Sequence, residues 1–370
     1  MILNKIPKEA HVDARSYLER NRMLPDYGRL HKLIRGRVPL RWLFIGDSIT
    51  HGCVHTGNLK CFREYFSSFV KRMDGRERDL FFTTAVSGAV TDDCMRYFND
   101  WVEAPRSDIA FICFGMNDCY KKRVDQMAFR ENLLRIVGYL REHNAIAILQ
   151  TPQSTKGRDR ALRPYLSVIR QVADAEKLML IDVHDYWTLH KAQVRGMLSD
   201  AIHPNAYGHL QWTRLIAASL GFEDADAPLF QMTYRQLAPF KKERMRSEMK
   251  FLCDDDAVQA GLDEPRAVPW VFFGRERFLD DKNKPFLRNP VESFEEFVRC
   301  TFHNEGICSM MRFVTNASSE SLNGADILTC YNEYISKYKP VHVVLEKDIG
   351  PGLETLDAKL TNDGIHVVKL

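Results

Sequence analysis

Gly46-Asp47-Ser48-Ile49-Thr50 follows directly on the apolar run Trp42-Leu43-Phe44-Ile45. A strand that ends in glycine and then offers a serine places that hydroxyl at the carboxyl edge of a sheet, where open α/β folds build their sites. Serine alone is a poor nucleophile. Acyl transfer needs a base for its proton, an acid to orient the base and donors for the oxyanion. Three further segments hold such groups: Thr84-Ala85-Val86-Ser87-Gly88, Phe111 to Asp118 with its Gly-x-Asn-Asp turn, and Asp200-Ala201-Ile202-His203-Pro204-Asn205. His203 has the chemistry of a general base and then a general acid. Asp200, three residues earlier, can fix the imidazole tautomer and stabilise the imidazolium. Each segment alone also reads as a turn, because Gly, Asp, Asn and Ser are turn formers. Their order and spacing together point to chemistry.

With the four blocks in that order, about residues 10–221 resemble the SGNH, or GDSL-type, hydrolase family. The resemblance implies a flavodoxin-like three-layer α/β fold with a parallel sheet and a site at the strand ends. It implies Ser48, Asp200 and His203 as catalytic residues. It also implies an oxyanion hole made of the Ser48 N–H, the Gly88 N–H and the side-chain amide of Asn117. No metal and no organic cofactor is called for. Two positions depart from the family. Thr83-Thr84-Ala85-Val86 stands where an Asn usually supports the block-two loop, and His51 stands where an acidic residue often follows GDSIT. His51 could shape substrate entry, but a solvated loop histidine is the expectation.

The elements that must position these groups alternate. A charged helical pattern covers 13–36, strand 42–45 follows, and a helix is expected near 60–73 with Phe62, Tyr65, Phe66, Phe69 and Val70 on one face. Residues 92–103 read as helix, 109–114 as strand, 126–143 as a strongly amphipathic helix and 145–152 as a buried strand ending in a turn. A helix over 160–176 and a strand over 178–183 complete the series. Strands alternating with helices predict a parallel sheet covered on both faces, in agreement with the resemblance.

Composition excludes several classes. A chain of 370 residues exceeds what one domain usually holds, and 45% hydrophobic content suits a full core. A net charge of +3 gives no argument for nucleic acid or a membrane surface. No apolar run approaches the roughly 20 residues needed to span a bilayer, and the start, Met1 to Glu9, lacks the apolar core of a signal peptide. Nine cysteines show no paired spacing and no zinc-type cluster with histidine. The cytoplasm is the expected location.

After Gly221-Phe222 the character changes, giving three expected regions: 1–222 catalytic, 223–267 a charged helical linker, and 268–370 a smaller α/β module. Val268 to Glu276 echoes the strand ending at Gly46, and Phe294-Glu295-Glu296-Phe297 echoes Phe62-Arg63-Glu64-Tyr65. Cys330 to Tyr334 echoes Tyr97 to Trp101, and Lys339 to Leu345 parallels Ser107 to Cys113. These echoes suggest a degenerate copy of the first half, with Glu276 in the serine slot. An unrelated α/β module is the alternative. The Asp363-x-x-His366 spelling reads as a turn before a terminal strand.

The chain therefore reads as a serine esterase hydrolysing short acyl esters, acetyl in particular, of a carbohydrate or similar polar metabolite. The sugar is implied only by the resemblance. An O-acetyltransferase acting on a sugar or polysaccharide with the same triad is the alternative, and a binding or scaffold protein a third. The partner expected is a small-molecule or glycan acyl ester, with no nucleic acid and no membrane span. The C-terminal module is left to contact a second copy or another protein.

Overall fold

The computed structural model describes residues 15–52, 55–56, 59–189, 196–222, 269–273, 312–315, 327–340, 342–346 and 352–370. The linker 223–267, Glu276 and the Phe294–Phe297 echo lie outside these residues.

The first half builds a parallel sheet from β1 (Arg41–Gly46), β2 (Leu80–Thr83), β3 (Ile109–Cys113), β4 (Ile146–Gln150) and β5 (Met179–Ile181), in the order β5-β4-β3-β1-β2. Its strands are nearly all buried. They therefore read as continuous apolar runs rather than alternating ones, as strands covered on both faces do. One helical group joins α1 (Arg15–Arg22), α4 (Phe62–Val70) and α9 (Ala206–Ser219); the other joins α5 (Thr91–Arg96), α6 (Gln126–Glu142) and α7 (Asp159–Ala175), and α8 (Val183–Leu189) follows β5. Trp42 anchors the layer between. Its ring stacks on Phe81 and Phe111 and meets Phe66 edge-on, while its Nε1 donates to Asp79 at 2.8 Å.

Two expected helices are broken. The 13–36 segment divides because Pro25 lacks the N–H to continue a helix and instead opens a new one, α2 (Pro25–Arg35). The 92–103 segment gives α5 and then a π-turn, Asn99–Glu103.

The second, smaller α/β module continues the same sheet. Strands β6 (Pro269–Phe273), β7 (Arg312–Thr315), β8 (His342–Leu345) and β9 (His366–Lys369) are parallel to one another in the order β7-β6-β8-β9. That order is the order β2-β1-β3-β4 of the first half. The register pairs Trp270 with Phe313 and His342, as Trp42 pairs with Phe81 and Ile109. It makes Leu345 the counterpart of Ile112, one residue away from the straight alignment of Lys339–Leu345 with Ser107–Cys113. The halves join through antiparallel β2 and β7, with Phe82 opposite Val314. These two residues are counterparts, so a local two-fold axis lies between them.

Irregular backbone repeats as well. A π-turn precedes β3 (Asn99–Glu103) and another precedes β8 (Tyr331–Ile335). Such turns are rare. Arg106 (φ 47°) and Lys339 (φ 50°) each stand three residues before a strand; Asn144 (φ 59°) and Gly364 (φ 73°) each stand two before one. The amide of Ala145 donates to Leu140 at 2.7 Å, and that of Ile365 to Leu360 at 2.9 Å.

Candidate active site

Three neighbouring parallel strands end at one sheet edge, and each delivers one sequence block. β1 runs into Ser48, β2 into the loop holding Ser87 and Gly88, and β3 into the turn Gly115–Asp118. Position 46 accepts only glycine: a Cβ there would lie 2.4 Å from Thr50 Oγ1 and 2.6 Å from the Cys113 carbonyl oxygen. Asp47 then caps the short helix α3 (Ser48–His51), accepting from the Ile49 amide at 2.9 Å. Ser48 is thus the first helical residue, and its N–H has no acceptor within the helix.

Asp118 fixes the third block. Its carboxylate accepts from the Thr91 amide at 2.8 Å, the Thr91 hydroxyl at 2.7 Å and the Gly115 amide at 3.0 Å. Beside it, Asn117 Nδ2 donates one N–H to the Ala89 carbonyl at 3.1 Å, tying the amide to the Gly88 loop. Gly88 is exposed with φ 82°, a conformation that favours glycine, and its carbonyl accepts from Arg123 at 2.9 Å. The absent Asn before this loop is compensated by backbone and threonine bonds. Thr84 N–H and Val86 N–H donate to Phe44 and Gly46, and the Thr84 hydroxyl donates to the Trp101 carbonyl.

The fourth block is a closed loop. A bridge pairs Leu198 with Pro204, and the Ser199 amide donates to the His203 carbonyl at 2.8 Å. Asn205 caps α9 by accepting from Gly208 at 2.9 Å and donates to the Gly196 carbonyl at 2.8 Å. The loop presents His203 so that Nε2 lies 2.9 Å from Ser48 Oγ and Nδ1 lies 2.8 Å from Asp200 Oδ2. Burial pushes the Asp200 carboxyl up, but the amides of His203 and Ile202 and the His203 ring outweigh it, and the group sits at about 2. Asp200 is therefore a standing negative charge behind the His203 imidazole.

His51 departs from its expected place. It is 1% exposed, not solvated, and its Nδ1 lies 2.9 Å from Ser87 Oγ. The last residue of α3 points inward because Gly52 turns the chain with φ 72° directly after it. His51 thereby ties the Ser48 helix to the loop that carries Gly88.

His55 is a site residue that sequence reasoning missed. Its ring lies parallel to that of His203, centroids 3.6 Å apart and planes 7° apart. Its Nδ1 is 3.3 Å from Ser199 Oγ and 3.5 Å from Asp200 Oδ2. No spacing rule links His55 to a loop that begins 144 residues later, at Ser199. The signal was only a second histidine close after the serine block. His55, Asp200 and His203 offer ligand atoms all within 4.8 Å of one another.

Behind the serine lies a buried acidic layer. Burial, and then the nearby Asp118, raises the Asp47 carboxyl to about 7, and burial raises Asp118 as well. Burial pushes the Cys113 thiol well up, so this cysteine is a packing residue and not a nucleophile.

Among known proteins, the model of the GDSL-like Lipase/Acylhydrolase family matches residues 44–210. A catalytic mutant of Axe2, an acetylxylan esterase from Geobacillus stearothermophilus, is similar at 20% identity and TM-score 0.44, over 51% of this chain and 98% of that one. The lipase/acylhydrolase from Enterococcus faecalis is similar at 21% identity and TM-score 0.41, over 50% of this chain and 97% of that one. No curated protein matches the chain.

Proposed function

The chain belongs, through residues 44–210, to the GDSL-like lipase/acylhydrolase family; from that membership we propose a serine esterase that removes short acyl groups, acetyl above all, from a carbohydrate or similar polar alcohol. The observation that carries the reading is the relay of Ser48, His203 and Asp200 at 2.9 and 2.8 Å. Ser48 Oγ attacks the ester carbonyl while His203 Nε2 takes its proton. The tetrahedral oxyanion is met by the N–H groups of Ser48 and Gly88 and by the Asn117 amide. Collapse breaks the bond to the alcohol, which leaves with the proton from His203. Water, deprotonated by the same nitrogen, then releases the acid and restores Ser48. Asp200 holds the ring and its positive charge throughout.

Turnover of nitrophenyl esters of graded acyl length, by wild type and Ser48→Ala, tests this. Activity highest on the acetyl ester and lost in the variant is expected. A folded wild type without turnover would overturn it, and product formed only with an added sugar acceptor would replace hydrolase with transferase.

The C-terminal half, residues 268–370, is read as a degenerate and catalytically silent copy of the first. Its strand order, its register, and its paired π-turns and left-handed residues support that reading. The sequence places Glu276 where a nucleophile would stand. No residual turnover should survive in Ser48→Ala if the second half is silent. Among the described residues β9 ends the sheet on that side, where a second copy or another protein would meet the chain. Among the described residues no helix is long and apolar enough to cross a membrane. We place the enzyme in the cytoplasm on its cysteine usage, and the described Cys61, Cys94, Cys113 and Cys119 are buried.

A further inference from the structure

The two halves also meet away from the β2–β7 pair. The linker between the Asn99–Glu103 π-turn and β3 faces its counterpart between the Tyr331–Ile335 π-turn and β8. Together they line a cleft of about 940 Å³. Arg41 and Arg106 reach it from the first half and Lys337 and Lys339 from the second, while His143 lines it from the end of α6. Arg106 and Lys339 occupy matching places, each in the left-handed conformation that non-glycine residues rarely adopt. The dyad thus brings the cations of both copies to one place.

Among the described residues, acidic groups there are few. Asp108 is committed to Arg41, which holds it through Nη2 at 2.6 Å and Nε at 3.0 Å. Glu103 is the only carboxylate in the lining among the described residues, and neither Arg106 nor Lys339 pairs with a carboxylate among them. The Lys337 ammonium is held below its ordinary range by burial and then by the charges of Arg41 and Arg106. Like charges gathered in a cleft leave a positive field that a bound anion would relieve.

We propose that this cleft binds a phosphate-bearing small molecule, gripped by Arg106, Lys337 and Lys339. Its size is that of a metabolite site. A guanidinium fork beside two ammonium groups suits phosphate oxygens, which accept several charge-assisted hydrogen bonds at once. A nucleic acid would need a longer basic track, and the whole chain carries only +3. The site is independent of the esterase reading, because Arg41 begins β1 and Ser48 follows its opposite end. A ligand held there would clamp the two halves together.

The test is calorimetric titration of the full chain with inorganic pyrophosphate, with ADP, and with oligogalacturonate as a polyanion bearing only carboxylates. Wild type is compared with Arg106→Gln and Lys337→Gln, and thermal melting and ester turnover report on folding. One-to-one binding of pyrophosphate or ADP is expected, weakened about tenfold in each variant and by added salt. Melting and turnover should be unchanged without ligand. Tighter binding of ADP would assign a nucleotide, and equal binding would assign the phosphates alone. The absence of saturable binding overturns the proposal. So does equal affinity in the folded variants, or a preference for oligogalacturonate.

Discussion

The imidazole of His55 lies face to face on that of His203, with centroids 3.6 Å apart and ring planes 7° from parallel. In the proposed mechanism, the ring that becomes a cation during acyl transfer therefore rests on a second π-face. Stacking of a cation on an aromatic ring at a partly exposed site is worth about 0.5–1 kcal/mol. His55→Ala is accordingly expected to lower kcat about two- to fivefold with KM little changed. His55→Phe, which keeps a ring face but removes the nitrogen near Asp200, should stay within about twofold of wild type. Steady-state kinetics on the acetyl ester checks both. Equal losses in the two variants would show that the nitrogen, not the stack, is what matters.

Asn117 carries the second prediction. Its amide is held against the Ala89 carbonyl at 3.1 Å and stands on the loop after β3, the strand beside β1, which leads to Ser48. Asn117→Ala should reduce kcat by about 10²–10³ with a small change in KM, the signature of a donor used mainly in the transition state. Asp118→Ala is the contrasting variant. It removes the acceptor of three hydrogen bonds in the turn and should reduce thermal stability as well.

Much of this site was legible as spelling. The strands of the first half are buried on both faces and appear as apolar runs, and each block follows one of them. The Asp200–His203 pair needs only a three-residue loop to meet. What was not legible depends on distant contacts. His51 looked like a loop residue because nothing in the sequence shows that Ser87, from another strand end, will receive its ring. His55 has its partners in the fourth block. Pro25 was visible, yet the break it makes was overrun by the charged periodicity on either side of it. The joining of β2 to β7 leaves no local signature at all, since antiparallel pairing of two short strands more than two hundred residues apart has no spacing rule.

Asp47 makes stability depend on pH independently of catalysis. Burial raises its carboxyl from the ordinary 3.8 to about 7 in the folded protein. Between those values the folded state binds more protons than the unfolded one, so stability falls as pH rises, and above about 7 the loss levels off. Asp47→Asn keeps an acceptor for the Ile49 amide without the charge. Its melting temperature relative to wild type should rise between pH 5 and pH 8. A constant difference across that range would mean that Asp47 titrates normally.

His342 gives the opposite slope in the other half. It is 1% exposed at the start of β8, meets His366 edge-on at 5.1 Å, and stands at the position held by Ile109 in the first half. Burial, and then His366, lowers it from the ordinary 6.5 to about 4. Between those values the unfolded chain binds the additional proton, so stability is lost as pH falls from about 6.5 towards 4. His342→Ile installs the side chain of the counterpart strand and removes the titration. The wild-type melting temperature should drop towards that of the variant, or further below it, as pH falls from 7 to 4.5. If C-terminal sheet packing gains nothing from the neutral imidazole, the variant is also the more stable protein at neutral pH. Parallel melting curves over the whole range would rule out His342 as the group that sets acid sensitivity.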